Sequence, residues 1–79
     1  MKALIVIDGQ KISDEEMSYI AKESLDLIQK IAPNSYLFDL NQTAHVLARL
    51  QEHAGRITNS YHIFYFKDEV DVFKYPVGR

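Results

Sequence analysis

Hydrophobic and polar positions form three blocks in the first half of the chain. Residues 3–7 are a continuous apolar run that ends at Asp8-Gly9, a dipeptide typical of turns, and residues 35–40 form a second short run. The segment between them, from about residue 14 to residue 31, places apolar side chains at helical spacing. Because a strand that is apolar on both faces is typical of parallel sheets, this order predicts a β-α-β unit with parallel strands.

Residues with capping preferences mark the ends of two predicted helices. Ser13 and Glu16 have the spacing of a capping box at the start of the first helix, and Pro33 ends that helix. Asn41 is a candidate N-cap for a second helix, and Gly55 suits the left-handed position that follows many helices. We therefore expect two helices. A central first strand, which the apolarity of residues 3–7 favours, would place them on opposite faces of the sheet, whereas strands added in sequence order would place both helices on one face and leave the other bare.

Aromatic residues are concentrated beyond residue 60. Six of the nine aromatic residues lie within residues 61–75. Residues 61–66 predict a third strand, and residues 70–75, after a polar break, predict a fourth strand that pairs with it in a hairpin. The predicted fold is therefore a small α/β domain of order β-α-β-α-β(-β), with a mostly parallel sheet, a C-terminal β-hairpin and two helices. Residues 1–79 are expected to form a single domain.

Composition narrows the classes of function. With 79 residues and 47% hydrophobic content, the chain is expected to be one modest globular domain. The formal net charge of −2 argues against a general nucleic-acid binder, and the lack of cysteine excludes disulfides, thiolate catalysis and cysteine-bound zinc. No apolar run approaches the roughly 20 residues that span a bilayer. We therefore expect a cytoplasmic protein without a membrane partner.

Two aspartates are the strongest candidates for metal chemistry. Asp8 and Asp39 each lie at the carboxyl end of a predicted parallel strand, and such ends share the sheet edge where ligands of open α/β folds bind. Carboxylate oxygens there could hold Mg²⁺ for phosphoryl-transfer or nuclease-like chemistry. Asp8-Gly9 and Asp39-Leu-Asn41 resemble in part the acidic motifs of Toprim domains, although that family has a glutamate at the first position and two aspartates in the second motif. In the competing interpretation, Asp8 belongs to a turn and Asp39 to a helix entry.

The second predicted helix carries a stripe of basic and imidazole side chains. The stripe consists of His45, Arg49 and His53, which recur every four residues. This stripe could contact an acidic partner or a nucleic-acid phosphate, in which case binding would weaken as salt rises. Histidine side chains at such a contact could make binding sensitive to pH. The alternative is a solvated helix face. Histidines eight residues apart do not readily share a metal on one helix, so no metal ligand is assigned.

The aromatic side chains of the third predicted strand alternate between two faces. Tyr61 and Tyr65 share a face with Ile63, and Phe64 and Phe66 share the other. One set has to face the core, and the other would form an exposed apolar patch of the kind that marks interaction sites. Tyrosine suits interfaces because its apolar ring ends in a polar hydroxyl. The candidate partner-binding residues are Tyr61, Tyr65, His45, Arg49 and His53.

The favoured function is a non-enzymatic protein-interaction module. Such a module would regulate or inhibit a partner protein, or associate with itself through the aromatic hairpin. A free-standing regulator of this size, including one from a phage or mobile element, fits that class. The three glycines match no phosphate loop or dinucleotide fingerprint, so no cofactor and no catalytic residue is assigned. The alternatives are a Mg²⁺-dependent phosphoryl-transfer enzyme that uses Asp8 and Asp39, and a nucleic-acid binder that uses the stripe.

Overall fold

The computed structural model describes residues 1–67 of the protein. Its elements in chain order are β1 (Lys2–Asp8), α1 (Asp14–Ala21), a 3-10 helix (Lys22–Leu27), β2 (Gln29–Ala32), β3 (Ser35–Asp39), α2 (Leu40–Arg56) and β4 (Ser60–Phe66). The strand predicted over residues 70–75, and with it the C-terminal hairpin, lies outside the described residues.

The four described strands form one sheet in the order β2-β3-β1-β4, and every neighbouring pair is antiparallel. The prediction of a mostly parallel sheet is therefore wrong. β1 is central, but Lys2 pairs with Asp39 and Val6 pairs with Ser35, so β3 runs opposite to β1. On its other side, β1 pairs with β4 over its whole length, ending with Asp8 opposite Ser60.

The short strand β2 reverses the chain and explains the antiparallel sheet. The helix predicted over residues 14–31 ends at Ala21, and Lys22 then has a positive φ of 53°. Residues Gln29–Ala32 form a strand that turns through Pro33-Asn34 into β3. Proline followed by Asn34 at φ 64° matches the two central positions of a type II turn. Because this hairpin adds one reversal after the helix, β3 arrives antiparallel to β1.

Both helices pack on one face of the sheet. Alternate residues of β1, namely Ala3, Ile5 and Ile7, are buried there. They share a single core cluster with side chains from the helices, β3 and the loop after β1: Ile12, Met17, Ile20, Ala21, Tyr36, Phe38, Val46, Leu47, Leu50 and Ala54.

No described element covers the opposite face of the sheet. Leu4 and Val6 lie on that side of β1 and are half-buried. The expectation of helices on both faces, drawn from the continuous apolarity of residues 3–7, is therefore wrong. The alternate apolar residues instead give the sheet a second, partly apolar face.

Capping contacts define the starts of both helices. Glu16 N donates to Ser13 Oγ at 3.0 Å and Ser13 N donates to Glu16 Oε1 at 2.8 Å, so the predicted capping box is present. The N-cap of α2 is Asp39 rather than the predicted Asn41, because Asn41 N donates to Asp39 Oδ1 at 3.0 Å. Asp39 is thus both the last residue of β3 and the N-cap residue of α2.

The end of α2 lies later than the glycine pattern predicts. Gly55 is inside the helix, which ends at Arg56, and Thr58 takes the left-handed position at φ 57°. Thr58 N donates to the Gly55 carbonyl oxygen at 3.1 Å, and Asn59 N donates to the Ala54 carbonyl oxygen at 2.8 Å. These two bonds are those of a Schellman motif.

Two asparagines hold the loop that follows β1. Asn34 Oδ1 accepts from Ile12 N at 2.8 Å, and Asn34 Nδ2 donates to the Gln10 carbonyl oxygen at 3.1 Å. Asn59 Oδ1 accepts from Gln10 N at 2.9 Å. Gly9 has φ 117° and lies so close to the Asn59 side chain that a Cβ would collide with it. The loop is therefore fixed from two sides, by the β2–β3 turn and by the residue that precedes β4.

Candidate interaction surface

Asp8 and Asp39 lie at opposite ends of β1. Asp39 pairs with Lys2 at the start of the strand, whereas Asp8 is the last residue of the strand. At about 3.4 Å per residue, the two positions are about 20 Å apart, which is too far for one Mg²⁺ to bind both. Within residues 1–67, no group of three or more histidine, aspartate or glutamate side chains could hold a metal ion. Asp8 and Asp39 would share one edge of the sheet only if β1 and β3 were parallel. Because these strands are antiparallel, the structure does not bring the two carboxylates together.

The stripe on α2 is divided between solvent and the contact with α1. His45 is exposed. Arg49 Nη1 donates to the Ile20 carbonyl oxygen at 3.0 Å, and His53 Nε2 lies 3.0 Å from Glu16 Oε2. The last turn of α1 has no basic residue of its own, so Arg49 supplies the cation that complements the negative end of its helix dipole. Two of the three stripe residues therefore make contacts within the fold.

Glu16 links the start of α1 to the second half of α2. Hydrogen bonds from the Ser13 backbone and then its side chain, together with the contact to His53, hold the pKa of Glu16 below its ordinary value of 4.5. The carboxylate is therefore ionised at neutral pH. Its Oε1 accepts the capping-box hydrogen bond from Ser13 N, and its Oε2 contacts His53 Nε2. This arrangement joins the two helices and explains the position of His53 without an external ligand.

β4 divides its aromatic side chains between the two faces of the sheet, as the alternation predicts. Tyr61 and Ile63 pack against the core, and Tyr61 Oη accepts from Gln51 Nε2 at 3.2 Å. Tyr65 lies on the same side but is 60% exposed, and Phe64 is 50% exposed on the uncovered face. Of the two predicted partner-binding tyrosines, Tyr61 is part of the fold and Tyr65 is open to solvent. Phe64 is an exposed aromatic that the sequence pattern does not assign to a partner.

An apolar area adjoins β4 on the uncovered face. The register places Leu4 of β1 between Leu37 and Phe64, and places Val6 beside His62. β4 is the last strand on its side of the sheet, so its outer backbone edge has no partner strand within residues 1–67. We refer to this outer edge together with Leu4, Val6 and Phe64 as the β4 surface. It combines backbone groups that have no partner strand within residues 1–67 with one exposed apolar side chain, Phe64, and two half-buried ones, Leu4 and Val6.

Tyr36 is a further candidate that the sequence pattern does not single out. It alternates with Phe38 on the core side of β3 and is only 2% exposed. Its hydroxyl group is buried, and no described group lies within hydrogen-bond distance of it. A tyrosine in an apolar strand predicts a buried ring, but only the packing shows whether the hydroxyl finds a partner.

Comparison with known proteins identifies no relative. No family model matches the chain, and no curated protein and no solved structure matches it. Among residues 1–67, no helix has both the length and the apolar character needed to cross a membrane.

Proposed function

We propose that this chain is a small protein-interaction module that binds through the β4 surface, and that the occupant of this surface is a second copy of the chain. The observation that carries the proposal is the length, exposure and apolar composition of the edge strand β4. It is a seven-residue edge strand with no lysine, arginine, aspartate or glutamate between Ser60 and Phe66, and it bears two exposed aromatic rings. Long apolar edge strands present unpaired N–H and C=O groups that readily pair with another strand.

The two edges of the sheet differ in their protection. β2 is four residues long, contains Lys30 and has an irregularity in its pairing between Lys30 and Ala32. Short length, a lysine and a bulge are features by which natural proteins block pairing at an edge. β4 is longer, pairs regularly with β1 and contains no lysine or carboxylate residue along its length. This contrast supports β4, rather than β2, as the edge available for association.

The sequence of β4 suits antiparallel pairing with itself. A twofold axis at Ile63 would place Phe64 opposite the partner's His62 and Tyr61 opposite the partner's Tyr65. Aromatic cross-strand pairs contribute about 0.2–1 kcal/mol each. The same patch would be used on both subunits, as in most twofold dimers. The two sheets would then join into one, and the apolar areas around Leu4 would become continuous across the axis.

Sedimentation velocity over a range of concentrations tests the proposal. The wild-type chain should form a dimer, and Phe64→Lys should be monomeric because it places a charge at the centre of the edge. Phe64 is half exposed, so the variant should keep its fold, which its circular dichroism spectrum checks. Tyr19→Lys is the matched control, because Tyr19 is a 79% exposed aromatic on α1, and it should remain a dimer.

Amide hydrogen exchange supplies an independent measurement. The amides of β4 should exchange more slowly as wild-type concentration rises, and this dependence should be lost in Phe64→Lys. A wild-type chain that stays monomeric at its highest soluble concentration would overturn self-association. The occupant would then be residues 70–75 of the same chain, or the strand of a foreign protein that this module regulates or inhibits. A Phe64→Lys variant that still dimerises would show that another surface is used.

A further inference from the structure

A second site lies on the other side of the molecule from the uncovered sheet face. A cavity of about 230 Å³ opens between α1, the 3-10 helix and the β2–β3 hairpin. Its lining comes from one stretch of the chain, residues 14–36, and consists of Asp14, Met17, Ser18, Leu25, Ile28, Lys30 and Tyr36. The cavity is mostly apolar, with an ion pair on its rim. An engineered apolar cavity of about 150 Å³ holds benzene, so this one has room for a single substituted ring.

One residue of the cavity lining, Tyr36, has a buried hydroxyl without a hydrogen-bond partner among residues 1–67. Nine-tenths or more of buried polar groups in proteins form a hydrogen bond, and an exception requires an explanation. Tyr36 lines the cavity and is 2% exposed, and no described group satisfies its hydroxyl. Burial raises the pKa of Tyr36 above its ordinary value of 10.0. The hydroxyl therefore keeps its proton at neutral pH and can donate a hydrogen bond.

The rim of the cavity carries balanced charge. Lys30 Nζ lies 3.0 Å from Asp14 Oδ1, and each group shifts the pKa of the other toward the ionised pair. An anionic ligand would be opposed by Asp14, and a cationic one by Lys30. The remaining lining residues carry no charge: Met17, Leu25 and Ile28 are apolar, and Ser18 is a neutral polar residue. These features favour an uncharged ligand.

The 3-10 helix provides a route into the cavity. None of its residues is buried, and Leu25, which lines the cavity, is 36% exposed. Segments with few buried contacts open at low free-energy cost compared with the core. A ligand could therefore enter by displacement of the 3-10 helix while the core cluster stays intact.

We propose that this cavity binds a small, uncharged, mainly apolar molecule with one oxygen that accepts a hydrogen bond from the Tyr36 hydroxyl. Single-ring phenols and aromatic ketones have this chemistry. The proposal is independent of the β4 surface, because the cavity lies on the helix-covered side of the sheet and shares no residue with that surface.

Titrations with two probes of similar shape test the proposal. p-Cresol carries the acceptor oxygen, whereas p-xylene has a methyl group in its place. In proton–nitrogen correlation spectra of the full chain, both should cause saturable shifts around Met17, Leu25 and Ile28. In Tyr36→Phe, affinity for p-cresol should fall about fivefold, the expected effect of one hydrogen bond, while affinity for p-xylene stays unchanged.

Tyr61→Phe is the matched control. Its hydroxyl is bonded to Gln51 on another part of the fold, so the affinity for p-cresol should be unchanged. If wild type shows no saturable shifts around the cavity with either probe, the site is refuted. Equal loss of p-cresol and p-xylene binding in Tyr36→Phe would show that the hydroxyl is not the polar contact. Retention of p-cresol binding in Phe64→Lys is expected whether or not that variant dimerises, which separates this test from that of the proposed function.

Discussion

The geometry at the end of α2 predicts that two nearby substitutions stabilise the protein. One replaces a glycine inside the helix, and the other introduces a glycine just after it. Gly55 lies inside the helix, and a Cβ added there would meet no atom within 4 Å. Alanine is better than glycine in a helix interior by about 1 kcal/mol, so Gly55→Ala should raise the free energy of unfolding by about this amount. Thr58 holds φ 57°, where a β-branched residue is strained and glycine is not. Thr58→Gly should stabilise by up to about 1 kcal/mol, because the greater entropy of glycine in the unfolded chain offsets part of the relief.

Urea unfolding and thermal unfolding, each followed by far-ultraviolet circular dichroism, measure both changes. For a domain of this size, about 1 kcal/mol corresponds to a shift in Tm of about 4–8 °C. Thr58→Ala is the control, because it removes the side chain but keeps a Cβ in the left-handed region, and it should not gain the stability of Thr58→Gly. If Gly55 were itself the left-handed residue after the helix, alanine there would destabilise the protein. A lower Tm for Gly55→Ala would therefore refute the observed helix end.

Three further substitutions test the loop after β1 and the contact between the helices. Gly9→Ala should lower the free energy of unfolding by about 2 kcal/mol, because φ 117° disfavours a side chain and a Cβ would collide with Asn59; unchanged thermal stability would contradict this geometry. Asn34→Ala should cost about 2 kcal/mol in urea unfolding, because it leaves a buried backbone N–H without its acceptor; a loss below the error of the assay would show that the bond is dispensable. For Glu16, the folded-state pKa is depressed, so its stabilising effect is present above the unfolded pKa near 4.5 and is lost as the pH falls through the folded value. Glu16→Gln keeps a capping-box residue but removes the charge, so its stability should fall less steeply below pH 4.5 than that of wild type; an equal fall in stability with pH in the two proteins would contradict the depressed pKa of Glu16.

Features that depend on neighbouring residues can be predicted from this sequence. The capping box of Ser13 and Glu16 needs only residues three apart, and the structure contains it. The two faces of β4 follow from strand alternation, so the separation of Phe64 from Tyr65 is visible in the residue order alone. The candidate partner residue Tyr65 is exposed as its strand position allows, although the same pattern does not distinguish it from the packed Tyr61.

Features that depend on competing local signals are less predictable. Apolar spacing continues past Ala21, so the pattern favours a longer helix than the chain forms. Pro33-Asn34 both terminates helices and builds type II turns, and here it builds the turn of a hairpin. Gly55 likewise suits the left-handed position after a helix, but Thr58 takes that position. The carbonyl oxygens of the last helical turn accept hydrogen bonds from the backbone of the residues that lead into β4.

The sequence by itself determined where apolar strands and the first helix start, which residues alternate across β4, and the absence of cysteine chemistry. Only the tertiary structure decided the direction of the strands, the separation of Asp8 from Asp39, the use of Arg49 and His53 between helices, and the burial of the Tyr36 hydroxyl without a partner among residues 1–67. The physical reason is the distance along the sequence between the residues that interact. Caps and alternation arise from contacts a few residues apart, whereas strand direction and the pairing of polar groups depend on which distant segments bury the most apolar surface together.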